Sequence, residues 1–494
     1  MSAYDAIVVG AGINGLTAAC TLAKSGKRVI LLEARSEAGG VASALNGSAL
    51  DTATLSEKVV NHLSLKSYGL KFYSSDPGVL VSDLENEPFV LYRAPERMRF
   101  NDRECEAAGY RRYRTFITRI SALINELREN KPPNLISPDL SSVALLLKSA
   151  LRLRLLGKRD MTELLRVAPM CLADFLYEYF ESETLITALA LPALVGEWAG
   201  PWSPGTATNL LLYECARGLP VEGGSQEIIR ALLKAAEDYG VTVKTDCRVK
   251  SFETDGDRVC GVLLESGKAL NSKVVFSSPD PKTTFLKLLP AGVLESDFEW
   301  KINNFRQRGT TAFISIVLPE SPRFKKPVAD RVDFIRITGT VDELEQAFDP
   351  VKYGELPERP ALDLQLHHQN NGVFIAGSVN FVPYCIKGED YQAAREQLSA
   401  TVISMLSELI DNLKDNISET KVWLPVDLES EFGCSYGNLR HGEAGLDQIL
   451  VRPAPECARY KTPLKGLYIC GSGAHPAGAL SGLQGYLAAN CCNV

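Results

Sequence analysis

Gly10-Ala11-Gly12-Ile13-Asn14-Gly15 is a GxGxxG hexapeptide set between the apolar run Ala6-Ile7-Val8-Val9 and the helix-like stretch Leu16–Ala23. Each glycine has a separate physical task in a strand–turn–helix unit. Gly10 permits the tight turn, Gly12 brings bare backbone up to a pyrophosphate, and Gly15 lets the helix pack against the strand. The free N–H groups and positive dipole end of the helix then face the phosphates. A second apolar strand, Arg28-Val29-Ile30-Leu31-Leu32, closes on Glu33, 18 residues after Gly15, where a carboxylate can accept from ribose hydroxyls. A GxGxxG alone is common. Strand, motif, helix, strand and acid in that order specify a dinucleotide site.

Two features choose FAD over NAD. Glu33-Ala34-Arg35 runs on to Gly39-Gly40, a second glycine pair similar to the ExxxxxGG extension of flavoproteins. No other GxGxxG follows a strand later in the chain, so a separate NAD(P)H site is not expected, and hydride should reach the flavin directly from substrate. At the far end, a strand at Gly466–Cys470 leads into the turn Gly471-Ser472 through Gly482, and Leu483 to Asn490 reads as a helix. This makes a second helix start that faces phosphate or flavin. Its first groups, Gly482 and Leu483, are expected to point the helix dipole at the flavin N1–C2=O edge, where charge develops on reduction.

Acid–base candidates are few. Of five histidines, His475 lies in the C-terminal turn and His441 in Arg440-His441-Gly442-Glu443, and either can serve as a base, as a substrate contact or only as structure. Glu197, Trp198 and Trp202 are candidates for the substrate pocket. His367-His368 lacks further ligands at metal spacing, so no metal site is expected. No GxSxG or local Cys/His signature argues for a covalent nucleophile. Hydride transfer to a flavin mainly needs a C–H bond held in place with water excluded, because the cofactor supplies the reactivity.

The elements that must position these groups fit an ordinary globular chain. The 494 residues are 45% hydrophobic and 23% charged, with a net charge of −7. A basic field that would recruit nucleic acid is lacking, and no nucleic-acid partner is expected. Twelve irregularly spaced cysteines without a CxxC point to reduced thiols in an intracellular, cytoplasmic setting. No run approaches the roughly 18 apolar residues of a membrane span. Residues 141–160 interleave leucines with Lys148, Arg152, Arg154, Lys158 and Arg159. Such a helix can make peripheral membrane contact or frame an apolar tunnel; packing its leucines into the protein is the commoner outcome and the one expected. Gly223-Gly224-Ser225-Gln226 should cap an amphipathic helix over Glu227–Tyr239, with strands following at 241–243, 249–252, 258–264 and 273–276.

Taken together, DAIVVGAGINGLTAA, the Gly39-Gly40 pair and RPAPECARYKTPLKGLYICGSGAHPAGALSGLQGYLAA resemble the phytoene-desaturase-like FAD oxidoreductases of the carotenoid-desaturase and amine-oxidase superfamily. The chain looks like the branch that contains the pyridine nucleotide-disulphide oxidoreductase domain-containing proteins. Asp51-Thr52-Ala53-Thr54 with Gly69–Tyr73, Ala199–Ala207, and the stretch from Phe432-Gly433 to Gly442-Glu443 support the placement. The resemblance implies an α/β fold. A Rossmann-like FAD domain is split over residues 1–75, 220–290 and 425–494, and an α+β substrate domain occupies 76–219 and 291–424. It also implies that Val249 meets the adenine through its backbone. The substrate class it implies is a largely apolar small molecule, dehydrogenated with oxygen or a quinone as electron acceptor. An amine or amino-acid oxidase, a redox-neutral isomerase and a non-catalytic FAD-binding scaffold are the alternatives. This chain departs from the family pattern at Ile13 (usually histidine), at Ala477 and Ala479-Leu480 in the flavin-facing turn, and at Ser472, where many relatives carry an acid.

Overall fold

The run Ala6–Val9 is buried at every residue, which suits a central strand covered on both faces. It pairs in parallel with Val29–Leu32 on one side and with Val275–Ser277 on the other. Leu467–Ile469 extends the sheet beyond Val275–Ser277, and Thr242–Lys244 extends it beyond Val29–Leu32, giving five parallel strands. The helices Ile13–Lys24 and Ser225–Asp238 pack on this sheet, and Leu483–Asn490 packs on Ile13–Lys24. A three-stranded antiparallel sheet, Val249–Asp255 with Arg258–Leu264 and Ala269–Asn271, is attached to it. This computed structural model describes residues 4–47, 50–100, 104–133, 139–326, 332–369, 372–449, 451–478 and 480–492.

The second layer system is a seven-stranded mixed sheet in the order Glu419–Trp423, Thr311–Leu318, Gly372–Asn380, Ala361–Gln369, Phe334–Ile337, Val79–Ser82, Phe89–Leu91. Its pairs are antiparallel except that between Phe334–Ile337 and Val79–Ser82. One face packs on the helix Tyr391–Leu409 through Leu398, Val402 and Leu406. Helices drawn from residues 104–216, led by Glu104–Glu129, form a separate core with Val79, Val81 and Phe381.

Strands of the parallel sheet come from three separate stretches of chain, and the mixed sheet from the segments between them. One boundary needs correction. The helix Ser296–Asn304 buries Phe298 and Ile302 in the core of the parallel sheet, so the cofactor-side unit runs past residue 290. No helix among the described residues is long and apolar enough to cross a membrane.

The helix expected over 141–160 is interrupted near Gly157 and runs as Leu140–Leu155 and Gly157–Val167. Its leucines divide between two faces: Leu153 and Leu156 pack against the helical core, whereas Leu147, Leu151 and Leu155 are exposed, with Lys148 and Arg152 on the flank between them paired to the buried Glu126.

Candidate functional site

The turn after the first strand is built by close backbone approach. Gly10 adopts φ +89°, and a Cβ on Gly15 would lie 1.9 Å from the Gly10 carbonyl oxygen; only glycine lets the helix start so near the strand. Gly12 is different, for a Cβ there meets nothing within 4 Å. It caps the helix Ile13–Lys24 without any side-chain hydrogen bond, so the first-turn N–H groups face a cavity of about 360 Å³ whose wall includes Gly10, Gly12 and Asn14. Gly39 and Gly40, at φ +127° and +55°, dock directly on this turn. Gly39 N donates to the Ala11 carbonyl at 2.8 Å, and a Cβ on Gly40 would sit 3.4 Å from Gly12 Cα.

Glu33 is fixed by the backbone. Its Oε2 accepts from Ala11 N at 2.7 Å and its Oε1 from Arg35 N at 3.0 Å, leaving lone pairs for ribose hydroxyls. Ala34, Arg35 and Val249 share the cavity wall with it. The Arg35 guanidinium stacks 4.3 Å over the Phe432 ring and donates to Ser43 Oγ at 3.1 Å. From the C-terminal turn, Ser472 reaches the same wall, and its Oγ accepts from Asn14 Nδ2 at 3.1 Å. Asn14 Oδ1 is buried and unpartnered among the described residues. An open Gly12, an uncapped helix start, an anchored acid and an orphaned amide oxygen in one cavity fit FAD.

Three assignments at the C-terminal turn change. Leu480 and Ser481 line the cavity, whereas Gly482 and Leu483 do not. Leu483 N donates to Ser481 Oγ at 3.3 Å, so this N–H is engaged within the protein. Gly471 is also off the wall. A Cβ on it would lie 2.1 Å from the Ser278 carbonyl oxygen, so it packs the last strand against its neighbour. Ala477 is buried with Ala444 and Ile449, and Ala479 lies outside the described residues.

The two histidines separate. His475 is buried away from the cavity. Its Nε2–H donates to the Leu127 carbonyl at 3.1 Å, and burial pushes its pKa down to about 4. It ties the C-terminal turn to the helix Glu104–Glu129. His441 is on the cavity wall, in a left-handed backbone conformation at φ +55°. Its Nε2 lies 3.7 Å from Cys434 Sγ, and its Nδ1 has no partner among the described residues. Burial lowers its pKa, with nearby Asp280 opposing. Asp280 is itself held by Thr283 Oγ1 at 2.7 Å, Ser435 Oγ at 2.9 Å and Gln307 Nε2 at 3.1 Å.

The proposed pocket trio does not assemble. Glu197 is buried behind the wall, accepting from Arg440 Nη1 at 2.8 Å and Ala444 N at 2.9 Å; of these, Arg440 lines the cavity. Trp198 lies under the Arg308 guanidinium at 4.7 Å in a different cavity. Trp202 is 40% exposed and stacks on Tyr177.

In their place the cavity reaches the mixed sheet, where sequence reading found nothing. Arg336 pairs with Asp363 across neighbouring strands at 2.7 Å, and Tyr213 Oη donates to Asp51 Oδ2 at 2.7 Å. Burial raises the Asp363 carboxyl, with Arg336 opposing. Arg217 joins this wall. Burial works against its charge, and Glu214, Asp51 and Asp76 more than offset that. Phe313, Phe334, Val79 and Pro192 supply apolar surface between these groups. The signal for Asp363 and Gln365 is the period-two alternation of Leu362, Leu364 and Leu366 with Asp363, Gln365 and His367, which sends the polar side chains to one face.

A dinucleotide cradle opening onto a chamber walled by a second sheet is the arrangement of a flavin-dependent oxidoreductase. Residues 5–128 match the family model described as FAD dependent oxidoreductase. Over 99% of its length the chain is 27% identical to the pyridine nucleotide-disulfide oxidoreductase domain-containing protein 2 of Rattus norvegicus, covering 93% of that protein. It is 25% identical to the lycopene-forming phytoene desaturase of a Paracoccus species, covering 98% of this chain and 96% of that one. For one component of the limonene dehydrogenase of Castellaniella defragrans the identity is 24%, covering 98% and 93%. Among solved structures, an oxidoreductase from Methanosarcina mazei shares the fold at a TM-score of 0.56 and 14% identity, covering 98% of each chain. A putrescine oxidase A394C mutant does so at 0.57 and 14%, covering 98% of this chain and 96% of that one. The chain is a FAD-dependent oxidoreductase that is similar to a phytoene desaturase and to a pyridine nucleotide-disulfide oxidoreductase domain-containing protein over nearly its whole length.

Proposed function

We propose that the protein dehydrogenates a largely apolar small molecule that carries one polar end. The observation that carries this reading is the single cavity running from Gly12, Glu33 and Val249 to Asp363, Gln365 and Ser378. Bound FAD supplies the hydride acceptor. The chain's own residues do the rest. Phe313, Phe334, Val79 and Pro192 enclose an apolar body and exclude water. Arg217 offers a charged donor to a carbonyl or carboxylate at its end, and Gln365 Nε2 is a buried donor left without a partner among the described residues. His441, neutral through burial, presents Nδ1 as an atom that can take or give a proton. That a phytoene desaturase and a limonene dehydrogenase component are among the relatives supports the apolar body.

A second reading, oxidation of an amine or amino-acid-like substrate, draws on the same charged set of Asp51, Tyr213, Arg217, Arg336 and Asp363. Anaerobic titration of the FAD-loaded protein separates the two. The first reading expects bleaching of the flavin by a terpenoid or polyene acid or ketone, then reoxidation by a quinone or by oxygen. Bleaching by amines alone, with peroxide formed on admitting air, favours the second. Rapid bleaching by NADPH, or a photoreduced flavin that no acceptor reoxidises, overturns both.

A further inference from the structure

The helix Leu140–Leu155 divides its leucines between two faces. Leu153 packs against the helical core, and on the flank Lys148 Nζ and Arg152 Nη1 each pair with Glu126 of the helix Glu104–Glu129 at 2.6 Å. A second set of leucines faces outward: Leu140 is 91% exposed, Leu147 65%, Leu151 59% and Leu155 73%, with Val143 and Leu146 exposed beside them. Positions 140, 143, 147, 151 and 155 recur at three- and four-residue spacing, so they form one continuous stripe. With Leu146 they make six of the fourteen large hydrophobics exposed among the described residues. A contiguous apolar patch of this kind on a folded protein marks a surface that something covers.

Charge selects what covers it. Residues 140–159 contain Lys148, Arg152, Arg154, Lys158 and Arg159 and no acid. Arg154, Lys158 and Arg159 are exposed along the end of the stripe. The acids that flank this stretch are already engaged: Asp139 with Arg459, Asp160 with Arg119 and Glu163 with Arg166. A second copy of the chain would bring one cationic rim against another. An anionic lipid surface satisfies both parts at once, its acyl region receiving leucines and its headgroups receiving cations. The N-terminus of the helix is held in place by Asp139, whose carboxylate also accepts from Ser142 N at 2.7 Å, so the stripe is displayed on a fixed element.

We propose that Leu140–Leu155 docks the protein on an anionic bilayer surface, lying in the plane of the interface. This stands whether or not the substrate reading holds. The test is vesicle flotation of the full-length, FAD-loaded protein with phosphatidylcholine vesicles and with vesicles that also contain phosphatidylglycerol. Binding to the anionic vesicles is expected, weakened by salt and much poorer on phosphatidylcholine alone. Leu147→Asp and Leu151→Asp should each lower the bound fraction roughly tenfold or more. Arg154→Glu with Lys158→Glu should remove the preference for anionic lipid. All four positions are exposed, so melting temperature and FAD content should stay at wild-type values. Failure of the wild type to float with anionic vesicles overturns the proposal. So does a solution dimer that Leu147→Asp and Leu151→Asp convert to monomer, because the stripe then belongs to a second copy.

Discussion

At Glu33 the protein fixes the carboxylate before any ligand arrives. Ala11 N and Arg35 N, at 2.7 and 3.0 Å, fix both carboxylate oxygens. A Glu33→Gln amide would set an N–H2 group against one of these N–H donors and weaken the charge-assisted bond to the other. With hydrogen bonds to charged groups worth about 1.5–3 kcal/mol, FAD affinity should fall about 10- to 100-fold, read by flavin fluorescence titration; unchanged affinity would mean that the ribose is held elsewhere. His475 makes a different residue-scale statement, about pH. Its pKa is about 4 in the fold against 6.5 for an ordinary histidine. Between those values the unfolded chain binds a proton that the folded one does not. Its stabilising contribution is therefore complete above pH 6.5 and is lost as pH falls towards 4. At about pH 5 the loss relative to neutral pH is about 2 kcal/mol. His475→Gln keeps a donor for the Leu127 carbonyl and cannot titrate, so its melting temperature should fall less than the wild type's between neutral pH and about pH 5. Equal slopes would place the acid sensitivity in other groups.

Between elements, a close backbone contact at the site joins the first and last helices. A Cβ on Gly485 would lie 2.0 Å from the Asn14 carbonyl oxygen, so Ile13–Lys24 and Leu483–Asn490 meet backbone to backbone. Gly485→Ala must force them apart at a cost of about 1–3 kcal/mol. Because Asn14 also donates to Ser472, loosened FAD should accompany the lower melting temperature; a drop in stability with wild-type FAD retention would show that the two helices do not jointly set the cradle. The N-terminal cradle was legible because its information is local: one strand, one turn and one acid within 33 residues. The polar wall was not, because Arg336 meets Asp363 and Tyr213 meets Asp51 only after distant segments fold together. Leu483 was misplaced for a subtler reason. A helix start after a glycine turn reads as free N–H groups, and nothing in the sequence says that Ser481 Oγ will take up the Leu483 N–H. The leucine-rich helix was half legible: Leu153 and Leu156 pack inward as expected, and nothing in the sequence says that a buried Glu126 will pair with Lys148 and Arg152 beside them while Leu147, Leu151 and Leu155 stay outside.

At the scale of the molecule, the cofactor wall is assembled from three widely separated parts of the chain. Gly12 and Glu33 come from the start, Arg248, Val249 and Ser278 from the middle, and Ser472 and Ser481 from the end. A ligand touching all three favours the folded state over every opened form by RT ln(1 + [L]/Kd), about 2.7 kcal/mol at a hundredfold excess over Kd. For a chain of 494 residues that is a rise of a few degrees in melting temperature, because the shift per kcal/mol shrinks as the unfolding entropy grows with size. The apoprotein should accordingly melt lower and be cut faster by protease in all three segments, and added FAD should protect them together. Gly12→Val isolates the ligand's share. Gly12 has φ −66° and ψ 172°, which valine adopts without strain, and a Cβ there meets no protein atom within 4 Å. The variant should therefore melt where the wild-type apoprotein melts and gain nothing from added FAD. A variant that melts well below the wild-type apoprotein would show that Gly12 serves the fold. One that still rises with FAD would show that the pyrophosphate does not approach this glycine.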